Sequence, residues 1–216
     1  MRSAGRVLSV NVAVVRADPF TRVASGLTGI DKLPADGPVR LEVDGVAGDT
    51  VCDTRYHGGP DQAVYAYAAE DLAFWAAELG REVVPGGVGE NLTLAGVDCT
   101  GAVVGERWEV GEARLVVRGP RTPCRVFAGS LGVPDLIKRF AAAGRPGAYL
   151  SVERAGAVRA GDAVRVLDRP DHGVDVAAVA AAMFGERERI AAIAAARPHL
   201  GVRGREWLDG VLARRG

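Results

Sequence analysis

The sequence predicts a mainly β protein with some α: a closed or nearly closed barrel of short strands, followed by a small cluster of three helices. Three observations carry this. Up to residue 170 the chain is a succession of short apolar runs broken by Gly, Pro and Asp, the pattern of many short strands. Glycine is abundant, 29 of 216 residues, and helical periodicity is confined to two stretches of that region. From residue 174 the texture becomes Ala-rich with helical period, and the turn residues Asp168 to Gly173 mark the change. The expected organisation is a barrel domain over 1–170 and a helical appendage over 171–216.

In chain order, strands are expected near 6–15, 39–43, 63–67, 91–94, 106–110, 113–118, 148–153 and 163–167. The first rests on Val10, Val12, Val14 and Val15. Ser9 and Asn11 interrupt it and charged Arg16 and Asp18 follow, so a strand is the better reading than a secretion signal. Gly111-Glu112 between two alternating runs predicts a hairpin. One helix is expected over 70–80, with Leu72, Trp75, Ala76 and Leu79 on one face and Gly80 as its stop. A second is expected over 133–144, with Pro134 in its first turn and Gly144 past its end. In the tail, Val176, Val179, Ala180, Met183 and Phe184 share a face. Ile190 and Ile193 form a second apolar pair, and Trp207, Val211 and Leu212 a third face. Three pieces this short are not stable alone, so the tail should pack on the barrel or on another subunit.

Composition excludes several classes. Basic and acidic residues balance at 27 each, so no net charge draws the chain to nucleic acid or to an acidic membrane. No stretch reaches the ~20 apolar residues of a membrane span. The cysteines are Cys52, Cys99 and Cys124, widely spaced and without a CxxC pair. That argues against a disulfide framework and a four-ligand zinc site, and for a reducing cytoplasm. Cys52 and Cys99 read as structural.

Four stretches could carry chemistry. In Arg118–Phe127 (RGPRTPCRVF), Cys124 stands among Arg118, Arg121 and Arg125, and nearby cations favour the thiolate. Pro120 and Pro123 stiffen its loop. A buried small hydrophobe beside solvated arginines is the competing reading. In Asp53–Tyr67 (DTRYHGGPDQAVYAY), His57 precedes two glycines and a strand, and Arg55 offers a planar fork for phosphate or carboxylate. A Cys124–His57 nucleophile–base pair is conceivable, although no cysteine-protease signature surrounds Cys124. In Gly86–Leu94 (GGVGENLTL), Asn91 can read a heterocycle edge or cap a turn. Neither a dinucleotide fingerprint nor a P-loop is present. Lys32, in the loop of TGIDKLP, can meet a phosphate or stay in water.

Taken in order, TGIDKLP, a glycine–aspartate turn, YHGGPDQAVYAY, GVGENLTL, GPRTPCRVF and GAYLSVERAGAVRAGDAVRV closely resemble the MOSC domain family over about residues 5–168. The tail resembles the three-helix appendage of its YiiM-like branch. The resemblance implies a MOSC-type β-barrel, similar to the pyruvate-kinase barrel. It implies a molybdenum cofactor, a molybdopterin, with Cys124 as the thiolate ligand of molybdenum; pyridoxal phosphate is not expected. Lys32, Arg55, His57, Asn91 and Arg121 match family motif positions and would line the pterin and its phosphate. The implied activity is reduction of N-hydroxylated compounds such as hydroxylaminopurines and amidoximes, with His57 as a proton donor or only as a cofactor-orienting group. No flavin, haem or iron–sulfur motif is visible, so electrons would come from an external NAD(P)H-linked reductase. The alternative is a sulfur or molybdopterin carrier using Cys124 as persulfide or cofactor ligand; a third reading is a plain binding module. No nucleic-acid polymer or membrane partner is expected, and the tail's apolar faces suit a homodimer. One departure stands out: the family pattern HGGPDKA is HGGPDQA here, with Gln62 in the basic position.

Overall fold

The computed structural model describes residues 3–214, the side chains of Ser3 and Ala4 aside; the outermost residues of both expected domains, 1–2 and 215–216, lie outside the described residues. The strands are β1 (Ser3–Ala13), β2 (Arg16–Ala17), β3 (Leu27–Thr28), β4 (Lys32–Pro34), β5 (Val39–Glu42), β6 (Gly45–Val46), β7 (Val64–Ala68), β8 (Leu92–Ala95), β9 (Arg107–Val110), β10 (Ala113–Pro120), β11 (Ala148–Arg154), β12 (Gly156–Val158) and β13 (Ala163–Asp168). Seven of them run in the order β13-β9-β10-β11-β7-β8-β1, and β1 returns to pair with β13. The expected barrel is therefore closed, which removes the edge strands that an open sheet must protect. β4 extends the sheet from the far end of β1, β5 pairs with β6 and β12 beside the barrel, and β2 and β3 form a small separate ribbon. These short strands, apart from β5, are too brief to leave a period-2 signal, and the sequence pattern did not predict them.

The 106–118 hairpin forms as expected: Ala113 pairs with Val110 across Gly111-Glu112. The β7–β8 pair is parallel, within an otherwise antiparallel barrel. Parallel neighbours need a crossover, and it carries α1 (Ala69–Leu79). All five residues of β7 are buried, because the strand separates two cores. Val64, Ala66 and Ala68 face the barrel interior; Tyr65 and Tyr67 face an outer cluster with Leu72, Trp75, Phe127 and Phe140.

That outer cluster is built by α1, by α2 (Arg125–Ser130) and by α3 (Leu136–Ala143). Gly80 and Gly144 end α1 and α3 in the left-handed conformation, as expected of both. Trp75 stacks on Phe140 at 5.7 Å, and Phe127 meets Phe140 edge-on at 5.2 Å. α2 was not expected: its six residues follow two prolines and show no complete apolar period.

The tail forms α4 (Val176–Phe184), α5 (Ile190–Ile193) and α6 (Val202–Ala213), with Asp175 capping α4 through the Ala178 N–H at 2.7 Å. Val176, Val179, Ile190, Ile193, Leu200 and Leu208 join the barrel's own core. The tail thus packs on its own barrel. On α6 the deeply buried residue is Leu208, and Leu212, expected on the apolar face, is exposed. Part of each tail helix's apolar face is thus taken up inside the chain, while Leu212 stays exposed.

Candidate functional site

A cavity of about 1240 Å³ opens at one end of the barrel. Its wall takes Lys32 from β4, the segments 49–53 and 56–63, Gly89 and Asn91, the segments 118–122 and 124–126 with Cys124, and Tyr149 from β11. The tail closes one side with Met183 of α4 and Leu200 to Gly204 at the start of α6. Of the residues singled out in the sequence, Lys32, His57, Asn91, Arg121 and Cys124 share this wall. Arg55 does not: it is exposed, its guanidinium 5.3 Å over the Tyr56 ring, and only its backbone carbonyl is engaged, by Arg203 at 2.8 Å.

Cys124 is half-buried and stands immediately before α2. Burial pushes its thiol pKa up. Hydrogen bonding from His57, the charge of Arg121 and the Phe127 backbone N–H outweigh that and bring it down to about 7. Of the three arginines around this cysteine in the sequence, only Arg121 acts on the sulfur. Arg125 is exposed, and Arg118 is held by Ser151 (2.8 Å), the His199 carbonyl (3.2 Å) and Asp61 (3.6 Å). The arrangement is a cysteine with an imidazole beside it, at the end of an open cavity. Such a sulfur can act as nucleophile or as soft metal ligand.

Arg121 is buried between the rings of Tyr65 (5.1 Å) and Phe127 (4.4 Å) and donates to the Val88 carbonyl. Its Nε is buried without a protein partner. Gly89 lies against it: a Cβ there would stand 3.2 Å from Nη1 and 2.8 Å from Ile30, and the residue has φ +81°. At Gly86, φ +86°, a Cβ would collide with the Lys32 carbonyl. The glycines of GGVGEN therefore let this loop press onto β4 and Arg121. Glu90 staples the loop from within, accepting from Gly86 N (2.6 Å), Val88 N (3.1 Å) and Thr93 Oγ1 (2.8 Å); burial pushes its carboxyl pKa up.

Lys32 is neither in water nor free. It is buried at the start of β4 and paired with Asp49 at 2.5 and 2.6 Å. Desolvation lowers its pKa, and Asp49 opposes that. Asp49 also accepts from Asn91 Nδ2 (2.8 Å) and Ala13 N (2.7 Å). Asn91 Oδ1 takes the Tyr65 N–H at 3.1 Å, and Nδ2 also reaches the Asn11 carbonyl at 3.3 Å. Both ends of the Asn91 amide are engaged within the protein. Asp49 is the residue sequence reasoning missed; a lone Asp in a Gly-rich turn gives no signal of a partner 17 residues away.

The other cysteines separate. Cys99 is fully buried in the barrel core, as a structural residue should be. Cys52, expected to be structural too, is half-buried in the cavity wall, because the loop carrying it folds over the barrel mouth. Gln62, at the position that departs from the family pattern, also lines the cavity, and its Oε1 is buried without a partner.

The tail is fastened to this wall. The Val202 N–H donates to Asp61 Oδ2 at 2.8 Å and the Gly201 N–H to the Arg118 carbonyl at 3.0 Å. Among the described residues no helix is long and apolar enough to cross a membrane.

Comparison with known proteins gives a consistent result. A protein-family model described as MOSC domain matches residues 53–165. The chain is 36% identical over 149 residues to the uncharacterized protein YflK of Bacillus subtilis, covering 69% of this chain and 67% of that protein. It is 31% identical over 163 residues to a protein named Reductase from Gibberella moniliformis, covering 72% of this chain but only 29% of that longer protein. Among solved structures, YiiM from Geobacillus stearothermophilus superposes with a TM-score of 0.79 at 27% identity, covering 95% of this chain and 97% of that one.

Proposed function

This chain belongs to the MOSC domain family, and from that premise we propose that it is a molybdenum-cofactor-dependent reductase of N-hydroxylated compounds, with Cys124 as the protein's ligand to molybdenum. The observation that carries the reading is a thiol with a pKa of about 7 opening onto a cavity of about 1240 Å³. A soft thiolate suits a metal that also bears sulfur ligands. Among the described residues no group of three or more His, Cys, Asp or Glu could hold a metal ion, so a metal here would arrive with ligands of its own, as in a molybdopterin. The orphaned Nε of Arg121 and the cationic, imidazole-flanked setting of Cys124 also fit an anionic cofactor.

When bound, the cofactor supplies the two-electron chemistry that turns R–NHOH into R–NH2 and water. Cys124 would hold it, with Arg121 balancing the thiolate charge and His57 helping to keep the sulfur ionised. The Lys32–Asp49–Asn91 network braces the cavity wall and would help to hold the polar heterocycle. Arg55 has no contact in this scheme beyond its carbonyl bond to Arg203. Electrons come from an external NAD(P)H-linked reductase in the cytoplasm. The name borne by the Gibberella relative agrees with a reductase.

The test is metal analysis of protein made in a host that synthesises the cofactor. About one molybdenum per chain is expected, lost in Cys124→Ser while the variant stays folded. Wild-type protein without molybdenum overturns the reading. Thiocyanate released by cyanide from Cys124 in such metal-free protein would favour the sulfur-carrier alternative instead.

A further inference from the structure

Three tyrosines pack side by side, Tyr67 on Tyr65 and Tyr65 on Tyr149; Tyr65 and Tyr149 line the cavity, and the three hydroxyls are not equivalent. Tyr65 donates to the Pro146 carbonyl at 2.9 Å. Tyr67 donates to the Arg145 carbonyl at 2.7 Å and accepts from Trp75 Nε1 at 2.8 Å. The Tyr149 hydroxyl has no hydrogen-bond partner among the described residues, yet Tyr149 lines the cavity.

The fold explains its position. Along β11, Ala148, Leu150 and Val152 point into the barrel core, so Tyr149 and Ser151 take the opposite face. Tyr149 is opposite Tyr65 on β7 and Gly119 on β10. Its ring packs on Tyr65 at 5.2 Å, and Gly119 presents no side chain to cover it. The charges that act on the phenol are Arg121, Cys124 and Arg203, so one hydroxyl sits within the field of the thiol, the buried guanidinium and the tail. A phenol ordinarily titrates at about 10, so the group carries its proton at neutral pH.

Resting on the reductase reading above, we infer that Tyr149 is a catalytic residue: its free O–H donates to the hydroxyl oxygen of the N-hydroxylated substrate and gives that oxygen its proton as the N–O bond breaks. The balance is R–NHOH + 2e⁻ + 2H⁺ → R–NH2 + H2O. The electrons come from the external NAD(P)H-linked donor. The leaving oxygen takes the phenolic proton and departs as water, the nitrogen takes its proton from solvent, and the phenolate recovers one from water in the cavity. A positioned acid contributes about a hundredfold or more to such a step.

The experiment compares wild type with Tyr149→Phe, which keeps the ring and its packing. Binding of a hydroxylaminopurine and of the matching aminopurine is measured by calorimetry on oxidised holoprotein with no electron donor, so nothing turns over. Wild type should prefer the hydroxylated purine by about threefold to tenfold, and the variant should lose that preference. With donor supplied, kcat should fall about a hundredfold or more while KM changes little. Alkylation of Cys124 in the apoprotein should still titrate at about 7 in the variant. A midpoint that climbs back towards 9 would make Tyr149 a support of the thiol and overturn the assignment. Equal binding of the two purines by wild type, or an undiminished preference in the variant, overturns Tyr149 alone. If wild type binds neither purine, the substrate reading falls and the assignment falls with it.

Discussion

A thiol that titrates at about 7 is half ionised in ordinary neutral buffer, and in this chain the departure from the usual cysteine range depends on its neighbours. Removing His57 takes away the first group that opposes burial. We therefore expect the iodoacetamide reactivity of Cys124 in His57→Ala to titrate well above the wild-type midpoint. An unchanged pH–rate curve would show that the imidazole has no hold on the sulfur. Asp49 makes a second sharp case. Asp49→Asn keeps the shape but leaves Lys32 buried, charged and without its counter-ion. Breaking a buried pair in this way costs about 3–5 kcal/mol, read as a fall in the urea midpoint. Cys124, His57 and Arg121 were legible because their chemistry is intrinsic to the side chain. Asp49 and Tyr149 were not, because an ordinary aspartate and one tyrosine in an apolar strand stand out only once the fold has set their surroundings. Arg55 fails in the opposite direction: its charge is conspicuous in the sequence, but its side chain turns away from the cavity onto Tyr56.

At the level of elements, the long strands were legible from composition and alternation, and the short ones were not. β7 shows why even a clear strand can hide its role. VYAYA carries no polar residue, so nothing in it says that one face serves the barrel and the other an aromatic cluster. α2 is hidden by the prolines before it, though it carries the backbone N–H that helps hold Cys124 ionised. The junction of tail and barrel contains a titratable pair. The His172 and His199 rings lie 5.2 Å apart, and His172 bridges the Val104 carbonyl (3.0 Å) and the Val174 N–H (3.0 Å). Desolvation first, then His172, Arg118 and Arg107, lower the His199 pKa below 6.5, against Asp168, which raises it. The neutral ring is the form the fold favours. Its contribution to stability is full above pH 6.5 and is lost as pH falls through the lowered folded value, since the unfolded chain takes up the proton first. Thermal melts from pH 7.5 to 5 should show a fall that His199→Gln reduces; an equal fall in the variant removes His199 as the cause.

On the scale of the whole molecule, barrel and tail share one apolar core, although the sequence changes texture sharply between them. The texture marks a change of secondary structure; whether a new core begins is decided by which faces meet. Ile193→Ala should therefore cost about 2–5 kcal/mol for the whole fold. Near-ultraviolet and far-ultraviolet melts should still coincide, and a separate early transition of the helices would contradict a shared core. The ring closure adds a matter of timing. β1 leaves the ribosome well before β13, its closing partner, which follows about 160 residues later, with the α6 wall later still. A nascent chain therefore carries its ionisable sulfur with no chamber around it from the synthesis of Cys124 until β13 and α6 have followed. Loading with any cargo is a task for a chain whose ring has closed, and until then the cell's reductants and electrophiles have open access to Cys124.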